Sequence, residues 1–161
     1  MLNEVSDELK HIPCGLYRTT EAIGESVPAG VLVYFHNHGE PGPGLYLPES
    51  WQNNRVCFSQ EGICIPDNDY AATLQALATE GFYVVIEPFY CCEQRCQYFE
   101  ADTLVQLGYN GDAEPILFLP EIIDGALALP AEGTFIDDAR LAKLKRLLVA
   151  ESDEQGPKTL Q

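Results

Sequence analysis

Positive charge is scarce in this sequence: nine Lys and Arg stand against 25 Asp and Glu, a formal net charge of −16. A field of that sign repels phosphate backbones and anionic lipid headgroups. It argues against nucleic acid or a membrane as partner and toward a protein with a basic surface. The cations are also unevenly placed, with Arg140, Lys143, Lys145 and Arg146 close together near the end. Long apolar runs are missing too; no stretch approaches the roughly 20 residues that a membrane-spanning helix needs. The opening residues lack the basic start and apolar core of a secretion signal. These absences predict a cytoplasmic protein. In a reducing cytosol six cysteines do not make a disulfide framework, and they read as core thiols or metal ligands.

Recognisable catalytic signatures are equally short in supply. Gly39-Glu-Pro-Gly-Pro-Gly44 is glycine-rich, but no Lys-Ser/Thr follows and it precedes a strand, so it is not a phosphate loop. No nucleophile elbow surrounds a serine or cysteine. A cysteine nucleophile would need a base, and His11, His36 and His38 are the only histidines. A dyad of Cys91 or Cys92 with His36 is conceivable, yet no oxyanion-stabilising set accompanies it.

What the chain does have is a repeat. Residues 31–49, VLVYFHNHGEPGPGLYLPE, align without a gap on residues 103–121, TLVQLGYNGDAEPILFLPE, at a shift of 72. Leu32/Leu104, Val33/Val105, Gly39/Gly111, Pro43/Pro115, Leu45/Leu117, Leu47/Leu119, Pro48/Pro120 and Glu49/Glu121 are identical pairs. Upstream, Gly15 and Gly81 open β-rich segments that align at a shift of only 66, so the second copy carries six extra residues. Cys91-Cys92-Glu-Gln-Arg-Cys96 lies in that insertion, on a loop or at a strand end.

Downstream, residues 55–58 and 126–129 match at a shift of 71, each followed by Glu-Gly, and a short strand runs into an acidic helix start at Asp67 or Asp137. Leu74, Leu77 and Ala78, and then Leu141, Leu144, Leu147 and Leu148, recur at helical spacing, with Gly81 placed to end the first helix. The expectation is an α+β, mostly β protein of two tandem small SH3-like barrel repeats. Each has about five strands followed by one helix, and the two pack as a pseudo-two-fold pair. Residues 1–12 form a polar lead-in, 13–80 repeat 1, 81–150 repeat 2 and 151–161 a polar tail.

Residues that differ between copies are where a site would specialise. His36 and His38 alternate at a strand end, so both imidazoles face one side; copy two has Gly108 and Asn110 there. With Cys91, Cys92 and Cys96 from the inserted loop they make a possible ligand set for zinc or another transition metal, although Cys-Cys-x-x-x-Cys is not the Cys-x-x-Cys of structural zinc knuckles. Cys57 and Cys64 could face each other across a tight hairpin, or simply be core thiols. Pro41 and Pro43 stiffen a projecting loop, and Tyr34, Tyr46 and Trp51 could line a partner-binding groove beside it. The leading expectation is a non-catalytic interaction or regulatory protein that docks a basic partner and needs no cofactor. A small metal-binding protein with His36, His38, Cys91, Cys92 and Cys96 as ligands is the alternative, and a cysteine-dependent enzyme the third.

Overall fold

In a computed structural model, residues 11–38 and 43–151 are described. Most of the Gly-Pro loop, including Pro41, lies outside them, as do most of the lead-in and tail. The chain divides into two compact units. The first comprises Met1–Glu80 and Gly108–Ile116, the second Gly81–Leu107 and Leu117–Gln161. Among the described residues no helix is long and apolar enough to cross a membrane.

The first unit contains β1 (Gly15–Arg18), β2 (Leu32–His36), β3 (Gly44–Tyr46), β4 (Pro48–Gln52), β5 (Arg55–Phe58), β6 (Ile63–Cys64), the helix α1 (Asn68–Ala72) and β7 (Gln75–Ala76). Five strands form one sheet in the order β6-β3-β2-β1-β7, while β4 and β5 form a separate hairpin. Strand β2 sets the inside and outside of this unit. Successive side chains on a strand point to opposite faces, so Val33 and Phe35 enter the core with Tyr17, Val27, Leu45, Tyr70 and Ala71, while Tyr34 and His36 face the other way. Tyr17 meets Phe35 edge-on at 5.9 Å. The two buried tyrosines satisfy their hydroxyls on backbone carbonyls, Tyr17 on Pro13 at 2.6 Å and Tyr70 on Glu21 at 2.8 Å. Loss of water around the rings pushes both phenol pKa values up.

The second copy follows the same plan. It has β8 (Gly81–Val85), β9 (Phe89–Tyr90), β10 (Tyr98–Phe99), β11 (Leu104–Tyr109), β12 (Pro115–Phe118), β13 (Glu121–Ile123), β14 (Ala126–Ala128), β15 (Thr134–Phe135), a 3-10 helix (Asp138–Lys143) and β16 (Leu144–Arg146). Its sheet order, β15-β12-β11-β8-β16, reproduces that of the first copy strand for strand, and β13–β14 is the counterpart of β4–β5. The two hairpins turn on equivalent residue pairs, Asn53-Asn54 (φ 50° and 65°) and Asp124-Gly125 (φ 51° and 81°). Positive φ at both central positions is the two-residue turn whose twist suits a hairpin, and Asn, Asp and Gly are the residues that tolerate it. The addition peculiar to the second copy is the β9–β10 hairpin.

The barrel-and-helix expectation is overturned. Strand occupies 42% and helix 8%, the sheets are several and small, and among the described residues none closes into an SH3-like barrel. The helices expected over Leu74, Leu77 and Ala78 and over Leu141 to Leu148 are short turns that give way to strands. Helix α1 stops at Ala72, after which Arg18 pairs with Gln75 and Tyr17 with Ala76. The 3-10 helix stops at Lys143, after which Leu144, Lys145 and Arg146 pair with Val85, Val84 and Tyr83. The free edges of β1 and β8 offer a row of backbone partners, and that non-local pairing outweighs the weak helical preference of a few leucines. Gly81 consequently opens a strand at φ 135° and ends no helix. Nor are Cys57 and Cys64 opposite each other: Cys57 pairs with Ser50 in the β4–β5 hairpin, and Cys64 with Gly44 in the sheet.

Candidate metal centre

The β9–β10 hairpin is short because its two strands are only two residues each, and aromatic pairs clamp it from both sides. Phe89 stacks on Phe99 at 5.2 Å, and Tyr90 meets Tyr98 at 5.0 Å. Between these strands the chain must turn within seven residues, and it does so with Arg95 at φ 54°. The turn is tied by Cys91 N–H donating to Gln97 C=O at 2.9 Å and Arg95 N–H donating to Cys92 C=O at 3.0 Å. The Thr134 hydroxyl donates to Gln97 Oε1 and anchors the outgoing side to β15.

That folding gathers three sulfurs. Cys91 Sγ lies 3.5 Å from Cys92 Sγ, and Cys92 Sγ lies 4.0 Å from Cys96 Sγ; all three are within 4.8 Å of one another. Cys91 is buried, Cys92 half-buried and Cys96 exposed. Thiolate ligands of a tetrahedral zinc ion at about 2.3 Å stand about 3.8 Å apart, so the observed spacings bracket the value a shared ion requires. Backbone N–H groups converge on the same atoms. Gln97 N–H donates to Cys91 Sγ at 3.3 Å. The Cys92 thiol is held below the ordinary thiol pKa, chiefly by a backbone hydrogen bond from Cys96, with contributions from the Cys91 side chain and the Gln94 backbone. Cys96 is pushed the other way by its hydrogen bond and charge interaction with Cys92. The hydrogen bonds thus favour the thiolate at Cys92 and the thiol at Cys96.

A pocket of about 390 Å³ opens beside Cys92. Arg140 and Lys143 line it from the 3-10 helix and Arg95 lines it from the cysteine loop. The two helical cations share a side because a 3-10 helix makes three residues per turn, which stacks positions i and i+3.

A second set of donors lies in the first unit. Cys14 immediately precedes β1, and the antiparallel register of β1 with β2, Gly15 opposite Phe35, brings it across from His36. Cys14, His36 and His38 offer one atom each within 4.8 Å of one another. The two imidazole rings are 4.0 Å apart, and Cys14 Sγ is 3.6 Å from His38 Nδ1. Asn37 binds this group together: its Oδ1 accepts from Cys14 Sγ at 3.2 Å and lies 2.8 Å from His38 Nδ1. Its backbone N–H donates to Cys14 Sγ at 3.3 Å and its side-chain amide donates to Ile12 C=O at 2.8 Å. An amide oxygen only accepts, so His38 Nδ1 is the donor in its contact with Asn37.

Of the five residues expected as ligands, then, Cys91, Cys92 and Cys96 form one set, while His36 and His38 form another with Cys14. Cys14 was not singled out because 22 residues separate it from His36 in the chain; only the strand register joins them. The expected partner-binding residues are also distributed. Tyr34 and Tyr46, paired across β2 and β3, line a groove of about 400 Å³ with His36, Phe58 and Ser59. Pro43 lends its carbonyl to Ile65 N–H at 3.4 Å. Trp51 is 43% exposed, and its indole N–H donates to Tyr109 C=O at 2.9 Å. Pro41 is outside the described residues. No family model, curated protein or solved structure matches this chain.

Proposed function

We propose that the protein binds a transition-metal ion of thiolate-preferring character, such as zinc or copper(I), through Cys91, Cys92 and Cys96. The observation that supports this most directly is the convergence of three sulfurs within 4.8 Å of one another, with a backbone N–H directed at Cys91. Three thiolates select a soft or borderline ion, and N–H···S hydrogen bonds stabilise the anionic ligands that such an ion needs. The nearby Arg95, Arg140 and Lys143 offset the negative charge of a trithiolate. Cobalt(II) titration of protein purified without a polyhistidine tag is the test. A thiolate-to-cobalt charge-transfer band that saturates at one equivalent, and weakens in Cys92→Ser and Cys96→Ser, is the expected result. No band and less than about a tenth of an equivalent of metal after zinc loading would overturn the reading.

A second reading is an interaction protein that docks a basic partner in the cytoplasm. The net charge of −16 supports it, as does the groove of Tyr34, Tyr46 and Phe58. A stoichiometric partner whose capture weakens with salt and with Tyr46→Ala would favour it.

A further inference from the structure

The pocket beside the cysteine loop collects three of the nine cations of an acidic protein. Against a net charge of −16, placing Arg95, Arg140 and Lys143 around one cavity is the least expected feature of the charge distribution. Arg140 Nε is buried without any hydrogen-bond partner among the described residues. A buried N–H left unpaired costs about 1–3 kcal/mol, so this atom is the kind of donor that a ligand would complete. Lys143 already holds Glu87 Oε1 at 2.9 Å, but Glu87 is largely exposed and the pair is half in water. The Arg95 guanidinium lies over the Tyr90 ring at 5.1 Å, which fixes a planar donor at the rim. Glu93 is the single carboxylate among the lining residues, so cations outnumber it there three to one. The cavity is also larger than a bare ion requires: about 390 Å³ lies within the range of small-molecule sites, and Phe89 and Tyr90 supply apolar wall.

We infer that this pocket binds a small organic anion, with an oxyanion head held by Arg140 and Lys143 and a short apolar body against Phe89 and Tyr90. The head can be a carboxylate or a phosphate, since a guanidinium fork and an ammonium donate to either. This inference stands on the pocket and holds whether or not the neighbouring cysteines carry a metal.

Calorimetric titration of the full chain with benzoate, phenyl phosphate, inorganic phosphate and neutral benzamide tests it, in metal-free and zinc-loaded protein. Saturable binding of benzoate or phenyl phosphate at one per chain is expected, with benzamide silent. The stronger of the two identifies the head group, and weaker binding of inorganic phosphate confirms the apolar wall. Arg140→Gln should weaken binding at least tenfold, and Lys143→Met several-fold. Lys145→Gln removes the same charge from the adjacent strand outside the pocket and should change affinity less than twofold. Lys143, 30% exposed, provides the readout should Arg140→Gln fail to fold. The inference is overturned if no anion binds saturably, if benzamide binds as well as benzoate, or if Lys145→Gln weakens binding as much as Lys143→Met.

Discussion

The backbone N–H of Gln97 points at the sulfur of Cys91 over 3.3 Å, while Cys91 N–H returns to Gln97 C=O at 2.9 Å. These two residues close the inserted loop with a reciprocal pair of bonds, one of which ends on a potential ligand atom. The loop is therefore built so that its closure and the polarity of its sulfurs depend on each other. Such coupling means that chemistry at the sulfurs should be felt in the stability of the hairpin, and the reverse.

Cys92 should be the most readily alkylated member of the set. Its sulfur receives hydrogen bonds that favour the thiolate, whereas Cys96 is held toward the thiol. Only the thiolate attacks iodoacetamide, so near neutral pH adducts should accumulate at Cys92 before Cys96, and the rate at Cys92 should rise at lower pH than for an ordinary thiol. Peptide mapping by mass spectrometry reads this directly. Zinc should slow the labelling of both. Equal rates at Cys92 and Cys96 would remove the hydrogen-bond account.

Gly62 is expected to tolerate no side chain without moving Tyr46. A Cβ built there would lie 3.0 Å from the Tyr46 ring, tighter than nine in ten real contacts, so the ring must give by a few tenths of an ångström. Gly62→Ala should cost about 1–3 kcal/mol, the usual penalty of overpacking, and alter the near-ultraviolet signal of the tyrosines. Tyr46→Leu in the same chain should recover part of the loss. A double-mutant cycle in urea with no coupling between the two positions would show that the ring moves freely.

Gly125 poses the opposite case, since nothing lies within 4 Å of a Cβ there and only its φ of 81° resists substitution. Gly125→Ala should therefore destabilise by about 1 kcal/mol through backbone strain alone. Gly125→Asn, which tolerates left-handed geometry, should cost less. Equal losses for the two would point to a packing role.

The sequence carried the duplication clearly because Val33/Val105 and Leu45/Leu117 are buried in both copies, where sheet packing dictates side-chain type. It also marked the cysteine loop, because six extra residues stand out against a template. The last strands of the two sheets were hidden. Gln75 and Ala76, or Leu144 to Arg146, are too few to show a period of two, and their neighbours mimic a helix; they become strands only because β1 and β8 have an open edge. The same non-local logic hid Cys14, which meets His36 through strand register, and hid the placing of Cys92, Arg140 and Lys143 around one pocket. No local spacing encodes such meetings.

Glu80 offers a test through pH. Its side chain is nearly buried, accepts from Val56 N–H at 3.2 Å and pairs with the exposed Arg55 at 3.7 Å. Desolvation is the largest influence and raises its pKa above the ordinary value of 4.5, despite the opposing pull of the Val56 hydrogen bond and Arg55. Because the folded carboxyl binds its proton more tightly than the unfolded one, its favourable contribution is full below about 4.5 and is lost as pH rises through the folded value. Urea melts of the wild type should show this loss as pH rises above 4.5, superimposed on the contributions of the other carboxylates. Glu80→Gln keeps an acceptor for Val56 and removes the titration, so the difference in stability between mutant and wild type should move in the mutant's favour as pH rises across that window and level off beyond it. A difference that stays constant from pH 4 to 8 would mean that burial at Glu80 exerts no net penalty on its charge, and that Arg55 and the Val56 amide offset the desolvation in full.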